Sequence, residues 1–275
     1  MYKNNRTILI NYANDAYAKA QHFNSWTGKK IGLFDKVIEY HPEDIDVSFY
    51  NSHKEILEKP RGAGLWLWKP YFILKTLDQV NIGDYIFYCD SAAYFIRPCK
   101  KILDSMKNSD IWVSDIPLIE KNWSKKSMLE GMGVQANKNI IESNQIQGTF
   151  ICVKKTDRAI CFIKRWLEYC CNYELICPDS LYVDTGDCIA HREDQSILSV
   201  LCKLEGITAH RDPSQYGRIP EKYMRENAMF SIPNHIEDEY PVIIVLHRSR
   251  EVNKTVAFRQ WLNAVLPKRL IYALR

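Results

Sequence analysis

Long apolar runs are missing from this chain. The longest, Val242 to Leu246, falls far short of the roughly 20 residues a bilayer crossing requires. The apolar Ile8-Leu9-Ile10 near the N-terminus is too short for the core of a secretory leader, and no small-residue cleavage site follows it. These absences predict a soluble or peripheral protein of the cytoplasm. Paired cysteine spacing is missing too: the nine cysteines are odd in number and none forms a C-x-x-C pair. A secreted disulfide framework is therefore not expected, and the group Cys170, Cys171, Cys177, Cys188 with His191 lacks the spacing of a zinc site. There is no G-x-G-x-x-G fingerprint, no phosphate loop ending in G-K-[ST], no internal repeat and no low-complexity linker.

What is present is a chain of 275 residues, 46% hydrophobic and 25% charged, enough to bury one full core. Its net charge of +4 is concentrated at the end, where Val245 to Arg275 holds seven Lys/Arg against one acid, Glu251. A local anionic partner is expected rather than nucleic acid.

The order of elements reads as α/β. A strand 7-TILINYA-13 is followed by a polar-apolar stretch reaching Gly32 and a second strand, 35-DKVIEY-40, which together read as a β-α-β opening. A helical stretch from Pro42 to Leu57 precedes the loop 60-PRGAGLW-66, and a helix starts at Pro70, where a missing N–H costs nothing. Further strands are 84-DYIFYC-89, 110-DIWVS-114, 145-QIQGTFICVKK-155 and 241-PVIIVL-246, with helices over Asp157–Tyr173 and from about Glu193 to Gly206. Such alternation predicts a mostly parallel sheet flanked by helices. Residues 1–254 form the expected domain, and 255–275 an amphipathic basic tail carrying Phe258, Trp261, Leu262, Val265 and Leu266 at helical spacing.

In an open parallel sheet ligands bind beyond the carboxyl ends of the strands, where Asp90, Asp115 and His247 stand. Asp90 leaves an apolar strand and is followed by small residues, a place for a carboxylate that meets a phosphate-bridging cation; the same pattern also suits a turn cap. The run 247-HRSREVNK-254 supplies an imidazole and three cations, of which arginine makes paired bonds to phosphate. In 61-RGAGLWLWKP-70 two tryptophans either face a base or sugar or pin the helix, and Lys69 stands at a helix start that favours anions. Gln147-Gly148 offers an amide to sugar hydroxyls. Glu193, Asp194 and Gln195 are either helix-start charges or acid–base groups.

In this order the motifs resemble those of GT-A glycosyltransferases, more closely the galactosyltransferase-like enzymes of bacterial surface polysaccharide and lipooligosaccharide synthesis. The likeness runs from about residue 7 to 255 and rests on order and spacing. It implies transfer of a hexose, galactose or glucose, from a UDP-sugar to a surface-glycan or lipid-linked acceptor. By the same resemblance Asp194 and Gln195 are catalytic. Asn11, Tyr12, Arg61, Trp68, Lys69, Ser91, Gln147, Gly148, Arg248 and Arg250 bind the donor, and Asp90 and His247 hold Mn²⁺ or Mg²⁺. The family's D-x-D motif is broken here, with Ala92 in the second position. Either His247 and the diphosphate complete a metal site, or the arginines carry the charge alone. The tail, with Trp261, Tyr272, Arg259, Lys268, Arg269 and Arg275, either lies on the inner leaflet or packs on the domain. Two other readings stay open: a non-catalytic nucleotide-sugar or glycan-binding module, and a sugar-phosphate nucleotidyltransferase, against which 11-NYANDAYAKA-20 lacks the glycine-rich loop.

Overall fold

The computed structural model describes residues 5–107, 109–178, 188–224, 228–235, 240–267 and 269–270, and Lys254 by its backbone alone. Strands β1 (Thr7–Tyr12), β2 (Lys36–Tyr40), β3 (Tyr85–Cys89), β4 (Ala93–Phe95), β5 (Ile111–Ile119), β6 (Asn144–Lys154), β7 (His210–Arg211) and β8 (Ile244–Leu246) form two sheets. The larger has the order β2-β1-β3-β6-β5-β7, and a ribbon of β4 and β8 stands beside it. β6 runs antiparallel to both of its neighbours, while the other pairings of the large sheet are parallel. The expected mostly parallel sheet is present, with β6 as the reversed strand.

Strand alternation builds a core on each face. Ile8, Ile10, Ile86, Tyr88, Ile151 and Val153 join one cluster, and their neighbours Leu9, Phe87, Cys89, Phe150 and Cys152 join the other. Helices Trp68–Gln79, Asp157–Cys171 and Glu193–Leu204 cover the first face. Phe95, Trp112 and Ile244 fill the second.

Two expectations need correction. The stretch Pro42–Leu57 is not one helix but a 3-10 turn (Pro42–Asp44) and two short helices, Val47–Ser52 and Lys54–Leu57. Asp115 is not at a strand end. β5 continues through register irregularities to Ile119, and Asp115 is paired with His235 at 2.7 Å. The segment between β1 and β2 holds the helix of the expected β-α-β opening, Ala18–Thr27. The tail helix Lys254–Val265 docks on the domain, with Tyr94 donating to the Ala257 carbonyl and Arg218 to that of Ala264. Phe258 and Trp261 remain exposed on it, stacked with centroids 6.0 Å apart. Lys268, Tyr272 and Arg275 lie outside the described residues.

Candidate active site

The parallel register of β1 on β3 carries Tyr12 and Asp90 to the same edge of the sheet. Tyr12 stacks on Trp68 at 3.9 Å and faces Phe72 at 5.7 Å, so an aromatic wall stands where β1 ends. Burial pushes the Tyr12 phenol up to about 12. The loop after Asp90 is fixed from several sides. Ser91 donates to the Tyr12 carbonyl (2.6 Å), and Asn24 donates to the carbonyls of Asp90 and Ala93. The Asp90 N–H bonds the Thr149 carbonyl. The Ala92 carbonyl accepts the N–H groups of His247 and Arg248, so the β4–β8 ribbon delivers Arg248 and Arg250 to the mouth.

These elements enclose a cavity of about 540 Å³ at the carboxyl end of β1 and β3, within the size range of small-molecule sites. Tyr12, Trp66, Trp68, Tyr88 and Thr149 contribute to its wall, and its charged lining side chains are Asp90, Arg192, Arg248 and Arg250. Among the described residues three guanidinium groups stand against one carboxylate, a balance that favours an anion. Arg248 is held in the left-handed region (φ 57°), with its guanidinium 4.3 Å from the Tyr216 ring centroid and 5.4 Å from that of Tyr223.

Beneath the cavity lies a buried charge cluster. Lys69, from the first turn of the Trp68 helix, places Nζ 2.8 Å from Asp194 Oδ2 and 3.9 Å from Asp90 Oδ1. The Asp194 contact is a charge approach off hydrogen-bond alignment, leaving Oδ2 without a hydrogen-bond donor. Burial raises Asp194 to about 6 against the pull of Lys69. Burial also works against the Lys69 ammonium, yet its pKa is raised, because two carboxylates face it. Gly148 is what lets strand and cluster meet. A Cβ there would sit 3.1 Å from Lys69 Nζ and 3.2 Å from Asp194 Oδ2.

The approach to Lys69 is a left-handed turn. Gly62, Ala63, Gly64, Leu65 and Trp66 all have positive φ, three of them without being glycine. Trp68 Nε1 closes it on the Gly62 carbonyl at 2.9 Å. Arg61 ties it to Glu193, which is itself at φ 41°. Burial lifts the Glu193 carboxyl to about 7 despite Arg61.

The structure thus brings together most of the expected residues, in two layers. Tyr12, Trp68, Asp90, Ser91, Arg248 and Arg250 line the cavity. Lys69, Gly148, Asp194 and Gln195 lie beneath it: Asp194 is 3% exposed, and Gln195 accepts from the Gly148 N–H at 3.1 Å. Three expected donor contacts fall elsewhere. Asn11 is buried and donates to Asn24 and Ser25, because the inward polar group at the end of β1 anchors the Ala18 helix. Gln147 is buried, donating to Ser114 on the next strand. Arg61 pairs with Glu193.

The donor set for Mn²⁺ or Mg²⁺ is short. Asp90 Oδ1 already accepts from the Tyr88 hydroxyl at 2.6 Å. His247 is 4% exposed, and burial lowers its pKa to about 4, which keeps it neutral. Its Nδ1 accepts from the Ser249 N–H, which assigns the ring hydrogen to Nε2, an atom with no hydrogen-bond partner among the described residues. Ligation through Nε2 would set an Nδ1–H against that backbone donor. Among the described residues no three potential ligands gather. Among the described residues, Asp90 and His247 are fewer donors than a protein-held divalent cation takes.

Sequence reading missed Tyr88, Thr149 and Arg192. Tyr88 had a signal, since two residues before Asp90 on a strand puts it on the same face. Arg192 adjoins the acidic pair but is not itself at a strand end.

No protein-family model matches the chain, and no curated protein matches it. Among solved structures it is similar to mouse xyloside xylosyltransferase 1 in its apo form, at 9% identity over 89% of this chain and 98% of that one, with a TM-score of 0.49. It is similar to galactosyltransferase LgtC in complex with donor and acceptor sugar analogs, at 12% identity over 88% and 87%, with a TM-score of 0.46. Glycosyltransferase GlyE of Streptococcus pneumoniae TIGR4 follows at 12% identity over 98% of this chain and 62% of that one, with a TM-score of 0.47. All three are named as glycosyltransferases, the class that the motif order resembles. Likeness this distant leaves function to the chemistry of the site.

Proposed function

We propose that this protein is a glycosyltransferase that takes a hexose, galactose or glucose, from a UDP-sugar to a hydroxyl of a surface glycan or lipid-linked oligosaccharide. The observation that supports it is the cavity's composition among the described residues: a stacked Tyr12–Trp68 wall, three arginines and one carboxylate, set over the buried Lys69–Asp194 pair. Aromatic faces suit a base or sugar, and guanidinium groups suit a diphosphate. In the transfer, the bond between the anomeric carbon and the diphosphate oxygen breaks and the oxygen keeps the electron pair. Arg248, Arg250 and Arg192 balance that charge where it develops. The acceptor oxygen bonds to the anomeric carbon and passes its proton to the departing diphosphate oxygen, which holds the electron pair. Asp90 is the carboxylate that meets the ligand, and Lys69 with Asp194 sets its orientation and the local field. The arginines carry the diphosphate charge without Mn²⁺ or Mg²⁺.

The test is hydrolysis and transfer from a panel of nucleotide-sugars, with EDTA and with added Mn²⁺, alongside calorimetric titration with UDP. Turnover of a UDP-hexose in EDTA is the expected result. Binding of UDP without turnover of any donor would leave a binding module, and neither binding nor turnover would remove the nucleotide-sugar reading.

For the lipid-linked acceptor, the supporting feature is the exposed Phe258 and Trp261 pair beside Arg259. No described helix is long and apolar enough to cross a membrane. We place the enzyme in the cytoplasm, on the inner leaflet. Co-sedimentation with anionic vesicles, lost on replacing both aromatics by serine, tests this.

A further inference from the structure

Glu120 stands just past the end of β5, fully buried and away from the cavity. Four donors converge on it: Ser124 Oγ, Gln145 Nε2 (3.1 Å), Ser199 Oγ and Lys203 Nζ (2.6 Å). The Gln145 Oε1 accepts from Gln195 Nε2 at 2.8 Å, and Gln195 Oε1 accepts from the Gly148 N–H at 3.1 Å. A chain of two amides therefore joins Glu120 to the glycine that the Lys69–Asp194 pair packs against.

Its two ends fix its direction. At the inner end the neighbours of the Gln145 amide nitrogen are acceptors, the Glu120 carboxylate and the Trp123 carbonyl. At the outer end the backbone N–H of Gly148 can only donate. An amide offers one donor face and one acceptor face, so only one orientation of each glutamine satisfies both ends. Remove the carboxylate and the Gln145 nitrogen keeps the Trp123 carbonyl at 3.4 Å but loses its shorter, charge-assisted acceptor at 3.1 Å, so the inner end of the chain is loosened. Gln195 keeps its orientation, because the Gly148 N–H requires its oxygen, and what changes is how firmly its nitrogen is held. Ser199 ties the same network to the strand, accepting from the Ile146 N–H at 2.8 Å.

We infer that Glu120 is a positioning residue: through Gln145 it anchors the Gln195 amide on the Gly148 N–H, and so holds the strand edge beneath the reacting sugar. The consequence for rate rests on the transferase reading above; the anchoring itself does not.

Two variants test it by different routes. Glu120→Gln keeps the shape and changes the acceptor. Gln145→Met cuts the chain while leaving the Glu120–Lys203 pair in place. Amide NMR of the whole protein reads Gln195 (assigned by its loss in Gln195→Ala) and Gly148, and needs no activity. In both variants the Gln195 side-chain pair and the Gly148 N–H should move. With a UDP-hexose that the wild type turns over, kcat should fall about 10- to 100-fold at little-changed KM. The two effects should not add in the double variant. Unmoved Gln195 and Gly148 signals in Gln145→Met would overturn the inference, as would additive rate losses. If Glu120→Gln does not fold, Gln145→Met alone still decides. Absence of turnover in the wild type would count against the transferase and leave the NMR result standing.

Discussion

Lys69 and Asp194 meet 2.8 Å apart from two different helices, each less than 5% exposed. Such a pair is strongly coupled to the fold, because either charge alone would be left in a poorly solvating interior. Lys69→Met should cost about 3–5 kcal/mol of stability in urea unfolding. Lys69→Met with Asp194→Leu should recover much of that stability but no transfer activity. If the double variant is active, the pair is structural and the site lies elsewhere.

Gly148 is favoured by space rather than by backbone angle, since a Cβ there would crowd Lys69 Nζ at 3.1 Å and Asp194 Oδ2 at 3.2 Å. Gly148→Ala should push the pair apart and cost about 1–3 kcal/mol. It should also lower kcat at least tenfold, a ratio that about 1.4 kcal/mol on the barrier produces. Unchanged kinetics would separate the cluster from the reaction.

The pH dependence of stability should carry the mark of Glu193. Its folded-state pKa is raised to about 7 by burial, above the ordinary value of 4.5. The folded protein therefore binds the proton more tightly than the unfolded chain. That contribution is complete below about 4.5 and is lost as pH rises through about 7. Glu193→Gln is neutral throughout, so thermal unfolding should show wild type losing ground to it between those values. A constant difference across this range would mean the carboxyl is not shifted.

Arg248 and Arg250 should matter to the leaving group. Each replaced by alanine should weaken UDP binding by roughly tenfold, the scale of one lost charge-assisted hydrogen bond. Titration calorimetry at two salt concentrations checks both the loss and its electrostatic origin. Equal affinity in both variants would point the diphosphate away from this ribbon.

Much of the site was legible in the sequence. Asp90 and Tyr12 follow apolar strands directly, so strand chemistry alone places them at the ligand-binding edge. Lys69 was legible as a helix-start cation, but its burial and its two carboxylate partners were not. Asn11 and Gln147 mark the limit of such reading. A polar residue at a strand end faces either the ligand or the layer behind it, and only packing of the Ala18 helix and of β5 turned these two inward. His247 was read as a ligand from its position, yet its ring orientation depends on a backbone N–H two residues later. Glu120 had no local signal, since its partners come from residues 4 to 83 positions away.

The sequence by itself determined the α/β alternation, the strand edge where Asp90 emerges, and the cationic segment after His247, because periodicity and residue type act locally. Tertiary structure alone decided the reversal of β6, the left-handed turn over Trp68, and the meeting of Lys69 with Asp194 under Gly148. Those depend on which elements share a boundary, and the energy of a buried charge or a missing Cβ exists only once that boundary has formed.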